Sequence, residues 1–303
     1  MAHSELLKNL KTRSLIIQCI RDFFISNDYI EVETPIRCPS IIPEAHIDPL
    51  MSETQYLQAS PELCMKRLLA LNFTKIFQIC KCFRKNERSP FHLPELTMLE
   101  WYAKDETYLD LMDQCQHLFQ HIASGLGLGN VLVYQDMSID FEIPFTRMTV
   151  KEAFDRHSSK SSVQALEDGS FHEIMGFEIE PHLGIKQPCI LYDYPAPLAA
   201  LARLKPEDKS LAQRFELYVA GIELANGFTE LIDPVQQRMR FIEENKIRFD
   251  RGQKALPLPE KFLTDLKAMP DAAGIALGID RLVMLFCNTT LIDQVVAFPP
   301  ESL

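Results

Sequence analysis

The stretch "CFRKNERSPFHLPELTMLEWY", residues 82–102, decides the fold. Its left flank continues the run "KIFQICKCFR" (75–84), which reads as a strand with Gln78, Cys80, Cys82 and Arg84 on one face. Its right half, "ELTMLEWYA" (95–103), reads as a second strand with Leu96, Met98, Glu100 and Tyr102 on one face. About ten polar loop residues between two such runs predict a long-looped antiparallel hairpin. An ordinary hairpin tip needs neither an arginine closing a core strand nor a glutamate between a methionine and a tyrosine.

Outward from the hairpin, the chain alternates helices and strands. Residues 4–28 have an amphipathic helical spacing through Leu6, Leu10, Ile16, Ile20 and Phe23, with Ser4 as a candidate cap. "YIEVETPI" (29–36) alternates as a strand that stops at Pro35. "SPELCMKRLLAL" (60–71) predicts a helix with Ser60 as N-cap and Pro61 in the first turn. Residues 106–124 read as another helix, where His117 and His121 lie four apart near Cys115. With no further ligand in reach, that trio reads as a helix face rather than a zinc site. "GLGLGN" (125–130) follows a helix and precedes a strand, the reverse of a phosphate cradle, so its glycines read as a left-handed helix end. The serine-rich segment 155–170 reads as a mobile surface insertion. "FELYVAGIELANGFTELID" (215–233) reads as two strands turning at Asn226-Gly227, and Asp233-Pro234 then caps a helix that ends near Gly252. "GIALGIDRLVMLF" (274–286) is a small-residue strand running into an apolar helix.

The bulk numbers narrow the function. The 303 residues are 47% hydrophobic and 24% charged, enough for one large core. A net charge of −11 argues against broad phosphate binding to nucleic acid. No apolar run approaches the ~20 residues of a membrane helix, and the N-terminus lacks a secretory pattern. The eight cysteines are irregularly spaced without a CxxC pair, as in a reduced protein of the cytoplasm.

Four carboxylates sit in apolar surroundings: Glu62, Glu100, Glu223 and Glu230. Arg84 and Arg281 stand in similar settings. Buried charges are costly unless they meet a partner. Gathered on one sheet, the acids suit an amine and Mg²⁺, and the arginines suit phosphates.

The order of these motifs resembles the class II aminoacyl-tRNA synthetases, specifically the lysyl type. "EVETPI", "FR…HLPELTMLEWY" and "GIALGIDRLVMLF" are similar to the three class motifs, and "SPELCMKRLL", "GIELANGFTEL" and "VVAFP" to lysyl-type stretches. The likeness covers nearly the whole chain but no anticodon-binding OB-fold domain. That pattern resembles the elongation factor P (R)-β-lysine ligase family, stand-alone catalytic domains that attach β-lysine through an adenylate to a lysine of elongation factor P. The resemblance implies one α/β (α+β) catalytic domain over residues 1–303, an antiparallel sheet of about six or more strands flanked by helices, and a homodimer. It implies ATP, Mg²⁺ and lysine or β-lysine as ligands, elongation factor P as acceptor, and no tRNA or membrane partner. Transfer to a tRNA or another acceptor, and a non-catalytic paralogue, stay open as alternatives.

The resemblance also assigns roles. Arg84 and Arg281 match the arginines on the α- and γ-phosphates. Glu62 matches the acid for the backbone-side amine, and Glu230 the acid for the side-chain ammonium. Ser60, Glu100, Tyr102, Asn226 and Ala276 fall in the substrate pocket. Asn86, His92, Leu96, Glu223, Leu224 and Gly278 fall around ATP, with Glu223 on the metal. Three positions depart from the lysyl pattern. Ala276 replaces a glycine, which narrows the floor and favours a substrate whose amine is moved along one carbon. Asn86 stands where a glutamate accepts from the adenine amino group, with Glu87 one place later on the opposite face. Leu93 and Leu96 replace an asparagine and a stacking phenylalanine, so the adenine is expected between aliphatic groups. Lys85 and Arg88 are available to follow the outer phosphates.

Overall fold

The structure, a computed structural model, describes residues 2–303. Its main sheet has eight strands. In chain order these are β1 (Ile30–Glu31), β2 (Lys75–Phe83), β3 (Glu95–Lys104), β4 (Thr146–Thr149), β5 (Cys189–Pro195), β6 (Leu211–Val219), β7 (Ile222–Thr229) and β8 (Ala272–Gly278). Across the sheet the order is β1-β2-β3-β8-β7-β6-β5-β4. All neighbours are antiparallel except the pairs β1/β2 and β4/β5 at the two edges.

The alternation in β3 explains both layers. Leu99, Trp101 and Ala103 point to one face and are fully buried. There they meet Ile16, Ile20 and Phe24 of helix α1 (Ala2–Ser26) and Leu111, Leu118 and Phe119 of helix α3 (Tyr108–Gly125). The Trp101 indole donates to Gln114 Oε1 at 2.8 Å, so its one polar atom is satisfied inside the core. Leu96, Met98, Glu100 and Tyr102 point to the other face. Helix α2 (Glu62–Ala70) lies at the edge of that face and leaves its middle open. Helices α7 (Pro234–Asp250), α8 (Glu260–Asp265) and α9 (Ile279–Phe286) complete the flanks.

Several local expectations change. "YIEVETPI" pairs only through Ile30 and Glu31, with Val32 N–H adding one bond to Phe77 O at 2.9 Å. The chain then leaves the sheet towards Pro35, which has no N–H to donate. The turn expected at Asn226-Gly227 lies instead at Ala220-Gly221, with φ of 54° and 74°. Two successive left-handed residues match the twist of a tight hairpin. Asn226 and Gly227 are inside β7, where a Cβ on Gly227 would fall 2.7 Å from the Phe215 ring. Glu223 and Glu230 therefore do not flank a turn: one lies in β7 and the other just beyond it.

Residues 155–170, read from the sequence as a mobile surface insertion, carry helix. α4 (Val150–His157), α5 (Ser162–Glu167) and α6 (Phe171–Ile174) enclose a small core of Phe154, Ala165, Phe171 and Ile174. Ser161 serves as a cap, its Oγ accepting from Gln164 N–H. Ser4 lies within α1 rather than at its start. Gly127 and Gly129 are left-handed beyond α3, as the glycine run predicts. Asp233 accepts from Val235 and Gln236 N–H and starts α7, which stops before the left-handed Gly252. All eight cysteines are free thiols. Among the described residues no cluster of His, Cys, Asp or Glu is arranged to hold a metal ion, and no helix is long and apolar enough to cross a membrane.

Candidate active site

Strand register builds the floor of the open face. One row crosses five strands: Gln78, Glu100, Ala276, Asn226 and Glu216 are successive partners. The next row is Ile76, Tyr102, Gly274, Phe228 and Arg214. Above them lies a cavity of about 550 Å³, in the range of small-molecule sites. All the residues assigned above to the substrate pocket and to ATP line it except Asn86 and Glu230; Lys85 and Arg88, named for the outer phosphates, do not line it. Arg84 does not stand beside Glu100, as a simple extension of β2 suggests. Gln78 is opposite Glu100, and Arg84 lies beyond the Phe83–Glu95 pair at the far end of the hairpin.

The deep end is acidic. Glu100 is 1% exposed, and both its oxygens are held: Ser60 Oγ donates to one at 2.6 Å and the Tyr102 hydroxyl to the other at 2.8 Å. Ser60 also accepts from Glu62 N–H at 3.0 Å, so the expected cap residue ties the start of α2 to the sheet. Burial, and then the Glu62 carboxylate, push Glu100 up to about 8. Glu230, with no exposure, is also pushed up to about 8 by burial, against the pull of Lys66. Its Oε2 pairs with the Lys66 ammonium, and its Oε1 is buried without a hydrogen-bond partner. That free oxygen lies behind Tyr102 and Gly274, where a Cβ on Gly274 would come 2.5 Å from it. Glu62 pairs through Oε1 with the same ammonium.

The outer end carries the arginines. Asp280 accepts from Thr97 N–H at 2.7 Å and pairs with Arg13 at 2.7 Å, fixing the start of α9. Arg281 then donates from Nη1 to Glu223 O at 2.7 Å and from Nη2 to His92 Nε2. Burial, then Arg281 and Arg84, hold His92 down at about 4. The neutral ring accepts at Nε2, so its proton is on Nδ1, 2.7 Å from Ser89 Oγ. Arg84 Nη1 is 3.7 Å from Glu87 Oε2, and its Nε is buried with no partner. An arginine donor left unpaired in a cavity is suited to an anion.

Between the ends, Glu223 is raised to about 7 by burial and then by Glu216. Both Glu216 oxygens are committed, to Arg214 at 2.6 Å and to the Tyr194 and Tyr218 hydroxyls at 2.5 and 2.6 Å. Glu223 is less committed: its Oε2 lies 3.6 Å from Arg281 Nη1, a long ion pair, and a carboxylate so placed in the cavity would suit a Mg²⁺ that keeps most of its ligands as water and phosphate oxygen. Gly278 is not required by packing, since an added Cβ would meet nothing nearer than 3.9 Å. It leaves room above the floor.

Three details at this outer end differ from the sequence reading. Asn86 is exposed and left-handed, with φ of 65°, and turns away from the cavity. That kink brings Glu87 to the wall in its place. Phe91 lines the cavity beside Leu93 and Leu96, so an aromatic ring is present after all. Arg88 is not free to follow phosphates: its guanidinium pairs with Glu301 at 2.9 Å and Asp293 at 2.8 Å. Lys66 and Glu216 were not singled out from the sequence. Lys66, four residues after Glu62, reads as one more polar position of α2, and Glu216 as an outward residue of an alternating strand.

The family description "tRNA synthetases class II (D, K and N)" matches residues 1–302. An elongation factor P–(R)-β-lysine ligase of Vibrio atlanticus is 37% identical over 314 aligned positions, covering 98% of this chain and 97% of the relative. Proteins of the same name from Photobacterium profundum and Proteus mirabilis are each 36% identical, covering 97% of this chain and 96% and 95% of theirs. With its motifs on one sheet face and relatives matched along almost their whole length, the chain belongs to the elongation factor P–(R)-β-lysine ligase family of class II synthetase domains.

Proposed function

We propose that the chain activates (R)-β-lysine, or lysine, with ATP and transfers the acyl group to a lysine side chain of elongation factor P. The observation that carries this is the polarity of one cavity: paired acids at its deep end and an unpartnered arginine donor at its mouth. The substrate's two amines go to the acids, with the distal ammonium on Glu230 Oε1 and the other on Glu62 and Glu100. Its carboxylate then points along β3, past Met98 and Leu96, towards Arg84. The carboxylate oxygen attacks the α-phosphorus in line, the bond to the bridging oxygen breaks, and pyrophosphate leaves. Arg84 neutralises charge on the α-phosphate, and Arg281, oriented by neutral His92, that on the γ-phosphate. Mg²⁺ on Glu223 would neutralise the outgoing phosphates. The adenine lies between Phe91, Leu93 and Leu96, with Glu87 accepting from its amino group. The acceptor's amine then attacks the acyl carbon and AMP departs. No protein nucleophile is needed, so alignment and charge carry the rate.

The companion expectations are part of the same reading: a cytoplasmic homodimer that acts on a protein rather than a tRNA. Pyrophosphate–ATP exchange tests the first half-reaction. Exchange that requires a lysine isomer is expected, followed by a mass increase of purified elongation factor P. Absence of exchange with either isomer at millimolar ATP would leave only the non-catalytic reading.

A further inference from the structure

Lys66 lies one helical turn after Glu62, with its side chain 1% exposed. Its ammonium pairs with Glu62 Oε1 and Glu230 Oε2 and sits 5.1 Å from the centre of the Phe228 ring. Ordering and desolvating a lysine here is costly. Glu100, at the same depth, is held by two hydroxyls instead. A cation does something hydroxyls do not: it draws together two carboxylates from separate elements, one on α2 and one beyond β7. Each gives one oxygen to Lys66. The remainder of Glu62 lines the cavity, and Glu230 Oε1 has no partner and packs against Tyr102 and Gly274, which line it too.

We propose that Lys66 is a positioning residue for substrate selection: by tying Glu62 to Glu230, it fixes the spacing of the carboxylate oxygens that receive the substrate's two amines. This rests on reading the deep end as the amine site. The charge balance agrees. With substrate bound and the acids ionised, three carboxylates, Glu62, Glu100 and Glu230, face one protein ammonium, leaving two negative charges for a substrate that brings two positive ones. Without Lys66 the surplus would be three, and Glu62 and Glu230 would repel each other. Burial pulls the lysine's proton affinity down, but Glu230 and Glu62 outweigh it, so the strut stays charged.

Lys66→Met keeps the stem and removes the charge. In pyrophosphate exchange, the KM for the preferred lysine isomer should rise about tenfold or more while the KM for ATP stays within about twofold. Discrimination against ornithine, one carbon shorter, should shrink, because the spacing is no longer fixed. Unchanged discrimination, or equal losses for amino acid and ATP, would reduce Lys66 to packing. The double variant Lys66→Met with Glu230→Gln leaves a neutral pair and covers the case in which the single variant does not fold. Because Lys66 acts through Glu230, the double variant should lose no more than Glu230→Gln alone; losses that multiply would overturn the proposal. If the parent protein shows exchange with no diamino acid, the amine-site reading falls and this proposal with it. Normal exchange by the parent with unaltered selectivity in the variants sinks this proposal only.

Discussion

Glu100 and Glu230 hold protons near neutrality because burial pushes both up to about 8. A substrate with two ammonium groups needs them ionised. Binding should therefore release protons, and affinity should climb as pH rises towards about 8, by up to about tenfold per unit for each proton released. Titration calorimetry in buffers of different ionisation enthalpy measures that count; a flat affinity between about pH 6 and 8 would contradict it. Glu230→Gln should weaken lysine or β-lysine by ~2–5 kcal/mol and lower the proton count by one. At the other end of the cavity, Asn86 is left-handed and outside the lining, while Glu87 lines it, and the proposed recognition of the base falls to Glu87. Glu87→Gln should raise the KM for ATP several-fold, whereas Asn86→Ala should leave it unchanged. The opposite result would return the role to Asn86. This slip was not readable from the sequence, because it depends on one positive φ that Asn tolerates but does not require.

At the scale of elements, the site is a pattern of register. Ala276 sits between Glu100 and Asn226 as a partner of both, so any side chain there meets whatever lies across the row. Ala276→Gly should shift preference towards α-lysine, by no more than the ~1–3 kcal/mol that one methyl supplies. Exchange assays with the two isomers read this directly, and a constant ratio would make Ala276 neutral. Gly274 will not tolerate the reverse change, since an added Cβ would meet the Tyr102 ring at 2.2 Å. Much of this was legible. Glu100 stood out as a charge inside an apolar face, and the run of small residues in β8 signalled close approach. The hairpin turn was not: Asn226-Gly227 is a stronger local turn signal than Ala220-Gly221, and only the packing of Phe215 against Gly227 decides between them. Lys66 was hidden for a related reason. Its partner Glu62 is four residues away, a spacing that on an isolated helix reads as a surface ion pair, and the burial that changes its meaning comes from β7.

For the whole molecule, the N-terminal face carries apolar side chains that the fold leaves uncovered. α1 packs one side on α3 and the sheet, yet Leu7, Leu15 and Ile25 on its other side are 55%, 48% and 59% exposed. Ile30 and Ile36, in the segment that follows, are 52% and 40% exposed. Large apolar side chains grouped on the first elements of the chain suit a partner surface better than water. A second copy is the simplest partner, because a two-fold axis lets one apolar patch cover itself. It would also steady the loop after β1, whose Thr34 hydroxyl bonds to Gln78 in the floor row, and so couple assembly to the site. Light scattering should give twice the 34.8 kDa of one chain at micromolar concentration. Leu15→Glu together with Ile25→Lys should halve that mass while the parent's circular dichroism is kept, since neither side chain is in the core. A parent protein that scatters as a monomer would remove the dimer and leave this face for another protein.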